Sequence, residues 1–125
     1  MALPPCIVIH GLAHARLALA PARPVTLLSA PGAALFAGAG WWRALIAAAG
    51  TEAPDLLDCA DAPGRALEGL ALGCRRLVLL PCPAWEDVAE RAAAQGAALL
   101  AARPPALDLA EPEAGRRIAA WLGVG

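Results

Sequence analysis

Short apolar runs alternate along the chain with longer segments rich in alanine and leucine. Small, polar or proline residues end nearly every run. Five runs have the length of buried strands and cover residues 6–9, 25–28, 56–59, 77–80 and 97–100. Continuous apolar runs of this length are typical of strands that are covered on both faces, as in parallel sheets. The pattern therefore predicts repeated strand-helix units around a mostly parallel sheet.

The first two connections contain the least regular helical segments. Gly11 allows the chain to turn into a short helix that ends before Pro21. The next segment reaches Ala49, with Gly50 as its stop. An interior glycine costs about 1 kcal/mol relative to alanine in a helix. The two glycines at 38 and 40 therefore leave open whether the helix covers this whole segment or begins only at Trp41.

The later connections have clearer helical signals. Asp61 is an N-cap candidate and Pro63 a first-turn proline for a helix that ends at Gly73. A charged face alternates with an apolar face from Trp85 to Gly96, which predicts a surface helix. The two prolines at 104 and 105 indicate an irregular connection over residues 103–110, and a last helix is expected from Pro112 onwards.

These elements predict one α/β domain over residues 1–125. The expected architecture is a three-layer α/β/α sandwich with a mostly parallel five-stranded sheet, because right-handed crossovers place helices on both faces. As a whole the pattern resembles flavodoxin-like and Rossmann-like architectures. The flavodoxin-like strand order 2-1-3-4-5 is our first prediction and 3-2-1-4-5 the second. A fragment resembling half of a βα barrel is a third interpretation, in which closure would require a second copy.

Composition and charge exclude several function classes. Apolar residues make up 59% of the chain, above the roughly 45–50% of soluble domains, and alanine supplies much of the excess. The formal net charge is −1, and the arginines are scattered apart from two adjacent pairs. A chain without a basic field is a poor partner for nucleic acid or anionic lipid. We therefore predict no nucleic-acid binding.

Cysteine spacing and hydropathy bear on the compartment. The cysteines at 6, 59, 74 and 82 form no CxxC pair and no dense disulfide framework, so a reducing cytoplasm is expected. Residues 24–42 carry no charge and end in two tryptophans, which is a pattern also found in membrane-spanning segments. Serine, proline and glycines interrupt this stretch. A strand, a loop and a buried helix explain it better, so no membrane span is predicted.

Ligand sites in parallel sheets lie outside the carboxyl ends of the strands. Three residues at predicted strand ends are the catalytic candidates: His10, Asp58 and Cys82. An imidazole at a strand end can transfer protons near neutral pH. Asp58 is the carboxylate with no other evident role. Cys82 precedes a helix whose N-terminal dipole favours a thiolate, although two acidic residues in the same turn oppose this effect.

Five further residues are predicted to bind a ligand: Ser29, Gly32, Cys59, Asp61 and Arg103. The turn from Ser29 to Gly32 offers backbone N–H groups to an anion. Arg103 presents a bidentate fork to a carboxylate or phosphate, or it pairs with Asp108. No GxGxxG or GxxxxGK[ST] motif follows any run, so no cofactor is identified.

A metal site is not predicted. His10 and His14 are four residues apart, but Gly11 separates a strand end from a helix start between them. The two rings are therefore not expected to share one helix face, and no spacing in the sequence specifies the third ligand that zinc needs.

Two functions remain open. The strand-end residues predict binding of a small anionic or carbonyl metabolite at the carboxyl edge of the sheet, and whether a reaction follows is undecided. The alternative is a non-catalytic homodimer that uses the segment from Gly32 to Ala49. Wound as a helix, this segment is apolar around its whole circumference, so one face would need a covering partner. Trp41 and Trp42 point about 100° apart, and one of them would reach that partner.

Overall fold

The computed structural model describes residues 2–123. Six strands are present: β1 (Cys6–Val8), β2 (Thr26–Leu28), β3 (Asp55–Asp58), β4 (Arg76–Val78), β5 (Ala98–Leu100) and β6 (Ala106–Asp108). The α-helices are α1 (Leu12–Leu19), α2 (Ala33–Phe36), α3 (Gly38–Ala49), α4 (Pro63–Ala71), α5 (Trp85–Ala94) and α6 (Ile118–Trp121), and a 3₁₀ turn at Ala114–Arg117 precedes α6.

The strands form one parallel sheet in the order β5-β4-β3-β2-β1-β6. The parallel α/β class predicted from the sequence is thus confirmed, with six strands instead of five. Both predicted strand orders are wrong. The first five strands lie side by side in chain order, as the βα-barrel interpretation implies, and only the sixth returns to pair with β1.

Strand β6 lies inside the stretch for which an irregular connection was predicted. Its residues pair in register with β1, and the Leu109 N–H donates to the Val8 carbonyl oxygen at 3.2 Å. The prediction failed because the flanking prolines obscure a strand of three residues. Proline cannot donate to a ladder, but Pro104 and Pro105 both precede the paired residues.

Helices cover one face of the sheet. Alternate strand residues point toward them, and the helices contribute alanines and larger apolar side chains to the same cluster. The opposite face carries Cys6, Val8, Leu28, Leu56 and Val78, against which Leu3, Ala30, Leu100 and Ala106 pack. Successive right-handed crossovers that advance in one direction keep their helices on one side. The expected second helical layer is therefore replaced by coil.

The link from β5 to β6 constrains the shape of the sheet. Residues 101–105 join strands at opposite edges. From Leu100 to Ala106 a fully extended chain reaches about 21 Å. Six flat strands, spaced about 4.8 Å apart, would be about 24 Å wide, and the link must also return from the carboxyl to the amino end. The sheet must therefore curve around its helix-free face.

The segment between β2 and β3 forms two helices. Gly38 has a φ of +82° at the start of α3, which lets the chain change direction after α2. Helix α3 thus begins before Trp41, and the interpretation with a loop up to Gly40 is wrong. Trp42 is fully buried and its indole N–H donates to Asp55 Oδ1 at 3.0 Å, whereas Trp41 is half-buried.

The uncharged stretch at 24–42 is divided among β2, α2 and the beginning of α3. Across residues 2–123, no helix is both long enough and apolar enough to cross a membrane.

The last three helical segments agree closely with the expected periodicity. In α5, Val88 and Ala92 face the core while the charged residues are exposed. In the last helical segment, Ala114, Ile118 and Leu122 are buried. Helix α4 starts at Pro63 as expected, but its N-cap position is Ala62 and no side chain caps it, so Asp61 does not play the predicted role.

Candidate functional site

Four strands bring polar residues to one edge of the sheet. Because β6, β1, β2 and β3 are consecutive neighbours, their carboxyl ends place Asp108, His10, Ser29 and Asp58 in a row. Arg103, in the crossover from β5, hydrogen-bonds to Ser29 and Asp58 at the β2–β3 end of that row. We call these five residues the carboxyl-edge cluster. It unites four of the predicted catalytic or ligand-binding residues with Asp108, which was predicted only as a possible partner of Arg103.

The most buried part of the carboxyl-edge cluster is an ion pair. Asp58 has 2% of its side chain exposed, and its Oδ2 accepts a hydrogen bond from Arg103 Nη1 at 2.7 Å. The same Nη1 donates to the Ser29 carbonyl oxygen at 3.1 Å. Asp58 Oδ1 accepts from the Ala60 N–H at 2.7 Å and closes the turn after β3. The carboxylate predicted as catalytic is therefore occupied by structural partners.

Ser29 links the ends of two strands. Its side chain is fully buried; Oγ accepts the Asp58 N–H at 2.9 Å and donates to the Ala30 carbonyl oxygen at 3.2 Å. Both functions of the hydroxyl, as donor and as acceptor, are thus in use. Ser29 contributes to the site by fixing Asp58 rather than by facing solvent.

The accessible part of the carboxyl-edge cluster is a histidine-carboxylate pair. His10 Nε2 lies 2.7 Å from Asp108 Oδ1, with 34% and 30% of the two side chains exposed. Since Asp108 is an acceptor when ionised, Nε2 carries the proton. The His10 N–H donates to Nδ1 of His14, which positions the second ring edge-on to the first. Among the described residues, no hydrogen bond uses His10 Nδ1, so this nitrogen is open to a ligand.

Several groups determine the charge state of Asp108. Partial burial raises the pKa of its carboxyl group, but the Ala110 N–H, the His10 ring and the charge of Arg103 outweigh that effect and hold the pKa below its usual range. A depressed carboxyl pKa stabilises the folded state above the pKa of the unfolded chain, and this contribution disappears as pH falls through the folded value. Asp108 is therefore ionised at neutral pH.

Three of the predicted ligand residues lie outside the carboxyl-edge cluster. Cys59 is fully buried on the helical side, and burial raises its thiol pKa to about 12. Asp61 is exposed beyond the turn. Gly32 has a φ of +65° and precedes α2, whose four residues are too few to present a helix dipole to an anion.

Cys82 follows the neighbouring strand β4, outside the cluster. It is half-buried and borders a cavity of about 340 Å³ together with Pro81, Trp85, Glu86 and Ala101. The Trp85 indole N–H donates to the Leu79 carbonyl oxygen at 2.6 Å and fixes this corner. The lining contains an acidic residue and no base, so it lacks the cation that usually activates a thiol.

Within residues 2–123, no group of three or more histidine, cysteine, aspartate or glutamate side chains is arranged to hold a metal ion. Asp108 was not among the predicted site residues, although Asp108 lies at the carboxyl end of an apolar strand as His10 does. Asp108 was missed because strand β6, which it ends, was not predicted between its neighbouring prolines.

No known protein family, no curated protein and no solved structure matches this chain. The chemistry of the site is therefore inferred from its own geometry.

Replacing His10 by alanine is expected to raise the pKa of Asp108, because a hydrogen-bond donor and a partial positive charge are lost. The measurement is the carboxyl ¹³C chemical shift of Asp108 as a function of pH. An Arg23→Ala variant, altered at the opposite end of the sheet, should titrate as the wild type does. Identical Asp108 titrations in the wild type and in His10→Ala would contradict the pairing.

Proposed function

We propose that the protein binds a small anionic or carbonyl metabolite at the carboxyl edge of its sheet. The observation that carries this proposal is the solvent-accessible His10–Asp108 pair, 2.7 Å apart, beside Arg103. Arg103 is 24% exposed and close enough to lower the pKa of Asp108. A base with a nitrogen free of internal hydrogen bonds and a partly exposed cation therefore both act on the same carboxylate, Asp108.

The three side chains have complementary roles in this proposal. Arg103 uses Nη1 for its contacts with Asp58 and Ser29, and among the described residues no hydrogen bond uses its Nη2. That nitrogen can donate to a carboxylate or phosphate oxygen. His10 Nδ1 accepts a hydrogen bond, or a proton, from a hydroxyl or hydrated carbonyl group of the ligand. Asp108 accepts a hydrogen bond from Nε2 and so fixes the orientation of the ring.

The proposal concerns ligand binding first and a reaction second. The side-chain oxygens of Ser29 and Asp58 are committed to internal hydrogen bonds, so neither residue attacks a substrate. A reaction at this site would therefore use His10 as base toward the ligand or a water molecule. We propose a cytoplasmic location, which the absence of a CxxC pair or dense disulfide framework among the four cysteines supports.

A thermal-shift panel of inorganic phosphate, citrate, pyruvate, ribose 5-phosphate and AMP tests the site. A ligand at 100 times its dissociation constant should stabilise the fold by about 2.7 kcal/mol. His10→Ala should weaken the binding of that ligand by up to about tenfold, the loss expected for one hydrogen bond between neutral groups. Arg23→Ala serves as the control for general charge effects.

The proposal fails if no member of the panel, nor of a wider set of organic acids and sugar phosphates, raises the unfolding temperature. It also fails if His10→Ala and Arg23→Ala bind the best ligand equally well, because the ligand would then lie elsewhere.

The second candidate function is homodimerisation through the segment from Gly32 to Ala49. Phe36 is 75% exposed and Leu35 48% exposed, although both are large and apolar. The outward residues of the following helix are small, among them Gly40, Ala44 and Ala47. A two-fold dimer needs a self-complementary patch, and here bulky and small residues occur together. The half-buried Trp41 borders this patch and is the outward tryptophan of the pair.

Sedimentation velocity distinguishes a dimer from a monomer. Wild-type protein should sediment as a dimer at micromolar concentration, and Phe36→Glu should be monomeric because a carboxylate would have to be desolvated at the interface. Leu72→Glu, at a leucine after α4 that is 53% exposed, should remain dimeric. A monomeric wild type would exclude this function.

A further inference from the structure

The helix-free face of the sheet contains a second cavity, distinct from the carboxyl-edge cluster. Its volume is about 690 Å³, within the range of small-molecule sites. The floor includes residues of β1, β4 and β5, and coil segments together with the end of α6 form the walls. The lining residues are Ala2, Leu3, Pro4, Pro5, Cys6, Arg76, Ala98, Leu100, Pro104, Pro105 and Trp121.

The walls offer almost nothing polar to a ligand. Four of the lining residues are prolines, which carry no N–H group and have a fixed φ. The polar atom of Trp121 is already used, because its indole N–H donates to the Cys6 carbonyl oxygen at 2.8 Å. An occupant must therefore be apolar where it contacts these walls. Their rigidity also means that little ordering is needed on binding.

Arg76 is the one charged residue in this lining. It is half-buried and shares the helix-free face with Val78, since side chains alternate along β4. Among residues 2–123, no carboxylate lies within 4 Å of its guanidinium group. The acidic neighbour Asp55 instead accepts a hydrogen bond from Trp42 and pairs with Arg43 at 3.8 Å.

We propose that this cavity binds an amphiphilic monocarboxylate of the fatty-acid class. The aliphatic chain lies against Leu3, Leu100 and the proline walls, and the carboxylate meets Arg76. A planar carboxylate matches the guanidinium fork in a bidentate pair, which a neutral head group does not. Burial of the aliphatic chain supplies binding energy, and the ion pair with Arg76 selects a carboxylate head group.

Isothermal titration calorimetry with decanoate tests the proposal. Wild-type protein should bind one decanoate per chain, whereas acetate, which lacks the chain, should not bind measurably. Arg76→Gln should weaken decanoate binding by about tenfold or more, as expected for the loss of a charge-assisted hydrogen bond. Arg75→Gln is the matched control, because Arg75 is adjacent but exposed and absent from the lining.

Two further measurements separate the cavity from the surface. Binding of 1-decanol, which has the chain but no charge, should be weaker than that of decanoate and should not change in Arg76→Gln. Ala98→Leu, which fills part of the cavity, should weaken both ligands. Arg76→Met retains the apolar stem and replaces Arg76→Gln if that variant unfolds.

The proposal is wrong if decanoate shows no saturable binding below the concentration at which it aggregates. It is also wrong if Arg75→Gln and Arg76→Gln reduce binding equally, since general charge would then explain the effect. Unchanged binding in Ala98→Leu would place the ligand outside the cavity.

Discussion

The ion pair between Asp58 and Arg103 is the interaction on which the arrangement of the sheet depends. A buried carboxylate is costly to desolvate unless a cation and hydrogen bonds compensate it. Here Arg103 Nη1 and the Ala60 N–H supply them. Because Arg103 lies within a link that barely spans the sheet, satisfying Asp58 also holds the link against the helix-free face. The link therefore places strand β6 beside β1.

The link between β5 and β6 borders two regions of different chemistry, one at each end of the sheet. At the carboxyl edge the link brings a guanidinium group to the His10–Asp108 pair, so the edge is polar and charged. Toward the amino ends, the same link continues into Pro104 and Pro105, which wall an apolar cavity beneath them. One segment of five residues therefore borders both proposed ligand sites. Its rigidity suits both, because a wall that is already ordered adds little entropic cost to binding.

Local patterns predicted most of the elements, since the apolar runs and the faces of α5 and the last helix follow simple periodicities. They did not predict strand order. The sequence patterns of the first five strands are the same whether each new strand is added at the same edge of the sheet or at the opposite edge. Strand β6 was missed because prolines adjoin its three residues. Part of the site was predicted, since His10, Asp58, Ser29 and Arg103 come together in the structure. The sequence left open whether Arg103 pairs with Asp58 or Asp108. That pairing depends on the curvature of the sheet, which is a long-range property.

Native-state hydrogen exchange in an Arg103→Gln variant tests most directly whether the ion pair holds the crossover. The amides of β6 and Leu109 should lose protection relative to the wild type, while those between β2 and β3 lose less, because the last strand opens without the rest of the sheet. Arg16→Gln, at an exposed arginine on α1, should leave the whole pattern unchanged. Wild-type protection of β6 in Arg103→Gln, or a uniform loss across all strands, would contradict this account.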